Sequence, residues 1–229
     1  MKKAVPFALL VLAACNSGTP AVPEATATAG AAQAAATIPA NAPVVLAFGD
    51  SLYAGYQLDP GQSYPARLEA ALNGEGTAVR FVNAGVSGDT TAAGLQRLAF
   101  TLDNQPVRPS LVMVGLGGND MLRALPPEDT LKNLDAICAE LKKRGLPFML
   151  TGLLAAPNLG PDYGAKFNAI YPALARKYGV PLVPFLLEPV VGRKDLLLGD
   201  NIHPNAAGIE KIVAMTKGQV EAAVKQAID

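Results

Sequence analysis

The chain has 229 residues, of which 19 are Lys or Arg, 19 are Asp or Glu, one is His and two are Cys. A formal net charge of zero argues against a nucleic-acid binder, in which basic residues normally exceed acidic ones. One His and two Cys are too few for a zinc finger or a Cys/His metal cluster, so we predict no metal site, and His203 is the only imidazole on which a mechanism could depend.

The first segment has the pattern of a bacterial export signal. Lys2 and Lys3 precede an apolar run over residues 4–12, which is too short to span a bilayer as a mature helix. The residues that end at Cys15 resemble the lipobox of bacterial lipoproteins, in which the cysteine is acylated and becomes the new N-terminus. We therefore predict a lipoprotein signal over residues 1–15 and an exported protein facing the periplasm, attached through Cys15 to the inner or outer membrane. The alternative is an ordinary cleaved signal in which Cys15 has no role.

Residues 16–42 are rich in Ala, Thr and Pro, with one charged residue, Glu24, and no aromatic residue. Such a composition buries too little apolar area to order itself. We predict a disordered tether of about 27 residues, with an r.m.s. span of roughly 30 Å, followed by one domain over residues 43–229.

Short apolar runs alternate with helical patterns through the rest of the chain. Continuous apolar runs are typical of strands buried on both faces of a parallel sheet, and glycines after the helical patterns fit left-handed C-caps. This order predicts a three-layer α/β/α domain with a five-stranded parallel sheet, and active-site loops at the carboxyl ends of the strands. The predicted strands span residues 44–48, 79–82, 111–116, 148–150 and 182–185, and the predicted helices span residues 64–72, 91–100, 128–144, 163–178 and 206–227.

A serine follows the first predicted strand directly, in the run Gly49-Asp50-Ser51-Leu52. This order places Ser51 at the carboxyl edge of the sheet, where Gly49 permits a tight turn and the close approach of a ligand. Serine is also a common helix N-cap in such loops, so the position alone is weak evidence for a nucleophile.

The run Asp200-Asn201-Ile202-His203-Pro204 is more informative, because a spacing of three residues places a carboxylate and an imidazole one turn apart on the same face. Asp200 could then accept a hydrogen bond from Nδ1 of His203 and leave Nε2 free to take a proton from a serine hydroxyl. The alternatives are a surface Asp–His pair, or Asp200 acting only as the cap of the last helix.

Two glycine-rich loops follow the second and third predicted strands. Gly88 could present a backbone N–H to an oxyanion, and Asn119 could present its side-chain amide; each such donor is typically worth about 3 kcal/mol in the transition state. A turn glycine and a capping asparagine are the alternatives. Residues 115–117 begin like a dinucleotide-binding fingerprint, but Asp120 occupies the position of the third glycine, so we do not predict a dinucleotide-binding site.

Taken together, these four elements resemble the SGNH or GDSL hydrolase family. The GDSL run at residues 49–52, Gly88, the run at residues 117–120 and the run at residues 200–204 occur in the order of that family, and the resemblance extends from about Val44 to the C-terminus. Residues 54–56, which continue the GDSL run, and residues 87–90, 170–172 and 180–185 further resemble the branch that contains bacterial thioesterases, lysophospholipases and arylesterases.

The resemblance implies a flavodoxin-like SGNH hydrolase fold and a serine esterase that works through an acyl-enzyme, without a cofactor. It implies that Ser51 is the nucleophile, that His203 is the base and then the acid, and that Asp200 orients His203. The implied oxyanion hole consists of the N–H groups of Ser51 and Gly88 and the amide of Asn119. The implied partners are small-molecule substrates: aryl esters, short acyl esters, lysophospholipids and, in vitro, acyl thioesters. The lipid anchor would add the membrane as a partner, and no nucleic acid is expected.

Apolar side chains near the same sheet edge either line an acyl groove or serve ordinary loop packing. These groove candidates are Met121, Leu122, Leu125, Leu153, Leu154 and Pro157.

Two other function classes stay open: an acyltransferase with a sugar or alcohol acceptor, and a non-catalytic lipid- or carbohydrate-binding lipoprotein. A free acid as the product would indicate hydrolysis, and an acylated acceptor would indicate transfer.

Overall fold

A computed structural model of the chain describes Met1 and residues 38–229. The predicted signal, the lipidation site Cys15 and the predicted tether up to residue 37 lie outside the described residues. Residues 38–229 belong to a single compact unit. No helix within residues 38–229 combines the length and the apolarity that a membrane span requires.

The described part of the chain is built on one sheet of five parallel strands in the order β2-β1-β3-β4-β5. Every residue of β1 and β3 is buried, as their continuous apolar runs predict. The observed sheet confirms the predicted α/β fold. The strands are β1 (Val44–Gly49), β2 (Arg80–Gly85), β3 (Leu111–Gly115), β4 (Phe148–Thr151) and β5 (Leu182–Val183).

Eight α-helices accompany the sheet in residues 38–229. Helix α2 packs against α8, while α3 packs against α5 and α5 against α7. Connections between parallel strands are right-handed, and the chain passes from β1 to β2 on one side and then to β3, β4 and β5 on the other. Helices α2 and α8 therefore cover one face of the sheet, and α3, α5 and α7 cover the opposite face. The helices are α1 (Ser51–Ala54), α2 (Tyr64–Gly74), α3 (Thr91–Asp103), α4 (Gly118–Leu122), α5 (Pro127–Lys143), α6 (Pro161–Asn168), α7 (Ile170–Tyr178) and α8 (Ala206–Ile228).

Three of the differences between predicted and observed boundaries have a clear physical reason. The predicted helix over residues 163–178 is two helices divided at Ala169, because Pro172 has no N–H to continue the hydrogen-bond ladder. Strand β5 ends at Val183, since Pro184 follows and cannot donate to a neighbouring strand. Strand β2 continues to Gly85, beyond its apolar run, because it is an edge strand that pairs with β1 along its whole length.

Glycines at the carboxyl ends of three strands allow helix α1 to lie directly on the sheet. A Cβ at Gly49 would lie 2.6 Å from Cγ of Tyr53, and one at Gly115 would lie 2.6 Å from Cε1 of the same ring. A Cβ at Gly85 would lie 2.4 Å from the backbone nitrogen of Ala54. The Tyr53 hydroxyl lies 2.9 Å from Oγ1 of Thr151, which joins α1 to the end of β4. Helix α1 is therefore held at the edge where ligands of parallel sheets bind.

Candidate active site

Ser51 is the first residue of α1, immediately after β1 and its N-cap residue Asp50. Oδ1 of Asp50 accepts the backbone N–H of Leu52 at 3.0 Å, which stabilises the start of the helix. The side chain of Ser51 is half-buried at the carboxyl edge of the sheet, as the sequence predicts. Two neighbouring residues of one short turn thus supply a hydroxyl and a helix cap.

Three predicted catalytic side chains form a continuous hydrogen-bonded chain. Oγ of Ser51 lies 2.8 Å from Nε2 of His203, and Nδ1 of His203 lies 2.6 Å from Oδ2 of Asp200. The backbone N–H groups of Ile202 and His203 donate to Oδ1 of Asp200 at 2.9 and 3.0 Å. Burial raises the pKa of Asp200, but hydrogen bonds from the His203 ring and from these two N–H groups outweigh it and lower the pKa to about 2. The carboxylate is therefore ionised at neutral pH.

The segment that carries Asp200 and His203 is a turn rather than part of a helix. Asn201 has a φ of 57°, a left-handed conformation, and the N–H of Leu198 donates to the carbonyl of His203 at 2.7 Å. Helix α8 begins at Ala206 with Asn205 as its N-cap, whose side chain accepts the N–H of Gly208 at 3.0 Å. The structure therefore contradicts both the helical explanation of the three-residue spacing and the alternative that Asp200 caps the last helix.

Of the candidate oxyanion donors, Asn119 lines the same cavity as Ser51 and His203, and Gly88 lies in the loop between β2 and α3. Gly88 has a φ of 89°, a conformation that L side chains rarely adopt. Within residues 38–229, no protein acceptor engages the backbone N–H of Ser51 or of Gly88. One amide hydrogen of Asn119 is used, since Nδ2 donates to the carbonyl of Asp89 at 2.9 Å, and the second hydrogen remains available.

Side-chain hydrogen bonds hold the loop over residues 86–90. Nε of Arg97 donates to Oδ2 of Asp89 at 2.6 Å, and its Nη2 donates to the carbonyl of Gly49 at 3.0 Å. Nη2 of Arg123 donates to the carbonyl of Gly88 at 3.0 Å. Neither arginine was predicted from the sequence, because neither belongs to a recognisable motif. Their contacts connect the glycine-rich loop to the end of β1 and to α4.

A buried carboxylate joins α4 to the start of α3. Oδ2 of Asp120 accepts the N–H of Thr91 at 2.8 Å, and Oδ1 accepts the Thr91 hydroxyl at 2.5 Å. Asp120 and Thr91 are both almost fully buried. Because Asn119 precedes Asp120 and Gly88 precedes α3, this contact fixes the two candidate donors relative to each other.

Asp50 has the most perturbed carboxyl at this edge. Burial and the negative charges of Asp120 and Asp89 raise its pKa, hydrogen bonds from the backbone of Leu52 and Gly118 lower it, and the net result is a pKa of about 7. At neutral pH both protonation states of Asp50 are populated, in contrast to the ionised Asp200. The pKa values of Asp50 and Asp200 are therefore shifted in opposite directions because their environments differ.

The aromatic ring of Tyr56 contacts His203. The ring centroids of Tyr56 and His203 lie 4.5 Å apart, with the planes inclined at 38°. Tyr56 is exposed and follows the C-cap of α1, so α1 positions both Ser51 and a ring beside the imidazole. Tyr56 belongs to a run that the resemblance marks, but its contact with His203 was not predicted, because it joins residues far apart in the chain.

An apolar cavity of about 390 Å³ opens beside Ser51 and His203. Five of the six groove candidates line it: Met121, Leu122, Leu153, Leu154 and Pro157. Leu125 does not, because the chain turns after α4, where its N–H donates to the carbonyl of Asp120 at 2.9 Å. The segment after β5 forms a further wall of the cavity, which was not predicted because its residues have no periodic pattern. This wall includes Phe185, Leu187, Val190, Val191 and Leu197.

The cavity lining contains no Lys or Arg. Within residues 38–229, no group of three or more His, Cys, Asp or Glu side chains is arranged to hold a metal ion. The lining is therefore mostly apolar, and its polar residues include Ser51, His203 and Asn119.

Residues 47–211 match the model of the GDSL-like Lipase/Acylhydrolase family. The chain is 38% identical over 174 residues to Esterase TesA of Pseudomonas aeruginosa, covering 76% of this chain and 86% of that protein. It is 39% identical over 166 residues to Thioesterase 1/protease 1/lysophospholipase L1 of Escherichia coli K12, covering 72% of this chain and 77% of that protein.

Among solved structures, the crystal structure of AlinE4, an SGNH-hydrolase family esterase, is similar, with 54% identity and a TM-score of 0.69. It covers 81% of this chain and 98% of the AlinE4 chain. Two further structures of AlinE4 carry alanine in place of a serine and of an aspartate. Those two positions are separated by the same number of residues as Ser51 and Asp200.

Proposed function

Because the chain belongs to the GDSL-like lipase/acylhydrolase family and is a carboxylic ester hydrolase, we propose that Ser51, His203 and Asp200 form its catalytic triad. The observation that carries this proposal is the pair of contacts at 2.8 and 2.6 Å that connect the serine hydroxyl, the imidazole and the carboxylate. The ionised state of Asp200 adds support, since it favours the tautomer in which Nδ1 carries the proton.

In the first half-reaction, Oγ of Ser51 attacks the acyl carbon of the ester while Nε2 of His203 accepts the hydroxyl proton. The N–H groups of Ser51 and Gly88 and the free amide hydrogen of Asn119 stabilise the negative charge that develops on the carbonyl oxygen. The tetrahedral intermediate collapses, the bond to the alcohol breaks, and His203 gives its proton to the departing oxygen. The acyl group is then bound to Ser51 as an ester.

In the second half-reaction, water takes the place of the alcohol. His203 accepts a proton from the water as its oxygen attacks the acyl carbon, and the same donors stabilise the second tetrahedral intermediate. Breaking the bond to Oγ releases the carboxylic acid and returns the proton to Ser51. Each cycle consumes one water and yields one acid and one alcohol, and none of these steps requires a metal or organic cofactor.

The substrates that we propose are aryl esters, short acyl esters, lysophospholipids and, in vitro, acyl thioesters. The apolar lining beside Ser51 supports an acyl or aryl group as the bound part of the substrate. The relatives include an esterase and a thioesterase/lysophospholipase, which agrees with this range.

A fluorophosphonate probe tests the triad directly, because it reacts with an activated serine. We expect one labelled site, Ser51, and loss of labelling in the His203→Ala variant, since no second histidine can act as the base. The folded state of the variant is checked by circular dichroism. Labelling of Ser87, the serine of the glycine-rich loop, would show that the nucleophile is assigned incorrectly.

We also propose that the protein is an exported lipoprotein, held at a membrane by an acylated Cys15. The charged start, the apolar run and the lipobox-like residues before Cys15 support this proposal. Growth of the expressing bacterium with labelled palmitate should label the protein, and the label should be absent from the Cys15→Ala variant. Equal labelling of the two proteins would rule out Cys15 as the attachment site.

A further inference from the structure

Four exposed aliphatic side chains surround the mouth of the cavity. Leu122 is 50% exposed, Leu154 43%, Val191 59% and Ile202 39%. All four line the cavity that leads to Ser51, and they come from α4, from the segments after β4 and β5, and from the turn that carries Asp200 and His203. We call these four residues the apolar rim.

We propose that the apolar rim docks on the acyl-chain layer of a lipid aggregate, so that a substrate passes from that layer into the cavity without crossing water. The proposal rests on the proposed function for the position of the reactive serine. Exposed apolar residues are ordinary when they are scattered, but a cluster around a cavity mouth indicates an interaction surface.

The position of the rim favours lipid over a protein partner. A protein seated on these four residues would cover the entrance that Ser51 and His203 share, and would prevent substrate from reaching them. An aggregate of acyl chains supplies the substrate at the surface on which the rim rests. The rim is also purely aliphatic, whereas the residues that dominate protein interfaces are Trp, Tyr and Arg. Leu, Ile and Val are favourable when they transfer into a hydrocarbon layer.

The length of the chain before the described domain is compatible with this contact. Nη2 of Arg80 donates to the carbonyl of Pro39 at 3.3 Å, so the chain enters the domain at the amino ends of the strands, opposite the rim. The roughly 22 residues between Cys15 and Ile38 allow a separation of at most about 75 Å. This exceeds the diameter of about 40 Å expected for a folded domain of this size. A domain anchored through Cys15 can therefore reach the same membrane with its rim.

The test measures binding of the domain over residues 38–229 to phosphatidylcholine vesicles by cosedimentation. The solved AlinE4 chain matches this protein over 98% of its own length and 81% of this chain, so a piece of about this size folds on its own in a relative. The domain also lacks the predicted signal and anchor, so neither contributes to binding. All proteins carry Ser51→Ala, so that no lipid is hydrolysed. We expect the domain to sediment with the vesicles, and the added changes Leu154→Ser and Val191→Ser to weaken its partition roughly tenfold, because two half-exposed aliphatic groups no longer enter the lipid.

Phe100→Ser and Val107→Ser provide the matched control. Phe100 is 72% exposed and Val107 57%, and both lie toward the amino ends of the strands, away from the rim. We expect the control variant to bind vesicles as strongly as the domain that carries only Ser51→Ala. The proposal is overturned if that domain does not sediment with vesicles, if the rim variant binds equally well, or if the control loses as much binding as the rim variant. Hydrolysis of soluble p-nitrophenyl butyrate by the domain with Ser51 intact tests the proposed function separately.

Discussion

The Ser51→Ala variant should hydrolyse p-nitrophenyl butyrate about 10⁶-fold more slowly than the unaltered enzyme, the size of loss seen when a triad nucleophile is removed. Oγ of Ser51 is the atom that we propose to form the acyl-enzyme, and it lies 2.8 Å from the only imidazole in the chain. Alanine removes the hydroxyl and leaves the oxyanion donors in place. The remaining rate therefore measures what those donors contribute to attack by water. The measurement is kcat from initial rates over a range of ester concentrations.

Ser87→Ala is the matched control for this change. Ser87 is exposed in the neighbouring glycine-rich loop and directly precedes Gly88. We expect its kcat to stay within a fewfold of the unaltered value. A Ser51→Ala variant that retains more than about one per cent of the activity, or a Ser87→Ala variant that loses it, would show that Ser51 is not the nucleophile.

The Asp200→Asn variant should lose about 10⁴-fold in kcat while its fold and its substrate binding are kept, by analogy with the same change in a serine protease triad. Asparagine preserves the acceptor for the N–H groups of Ile202 and His203, which lie 2.9 and 3.0 Å from Oδ1 of Asp200. Its amide, however, presents N–H to Nδ1 of His203. The imidazole then adopts the tautomer protonated at Nε2, which cannot accept the proton of Ser51.

Asp195→Asn is a control with the same chemical change in the preceding segment. Asp195 is exposed and pairs with Arg193, and it does not contact the imidazole. We expect little change in its kcat. An Asp200→Asn variant with near-normal kcat, measured alongside an unchanged thermal unfolding midpoint, would mean that Asp200 only stabilises the turn.

The sequence predicted the parts of the fold that depend on local pattern. The strands β1 and β3 are continuous apolar runs because both of their faces are buried, and this signal does not depend on distant residues. Helices α1 and α4 were not predicted, because five residues or fewer are too short to show a helical period. Their positions follow from packing against the sheet, for which the glycines at the strand ends make space.

The residues proposed for the triad were found because each lies in a short run that the resemblance marks. The contact of Tyr56 with His203, the hydrogen bonds of Arg97 and the cavity wall after β5 were not predicted, because they join segments that are distant in the chain. Leu125 shows the converse error: an apolar residue close to the site in sequence turns away from it after a helix of five residues.

The contact between Ser51 and His203 joins residues 152 positions apart, so it closes a loop that contains nearly the whole domain. The serine is among the first residues of the domain to be synthesised, and the histidine is among the last, on a turn held by the segment before α8. An incomplete chain therefore lacks a base for its serine even when several strands have already formed. Hydrolytic activity should appear only on completion of the domain, so an unfinished chain would leave the esters around it intact.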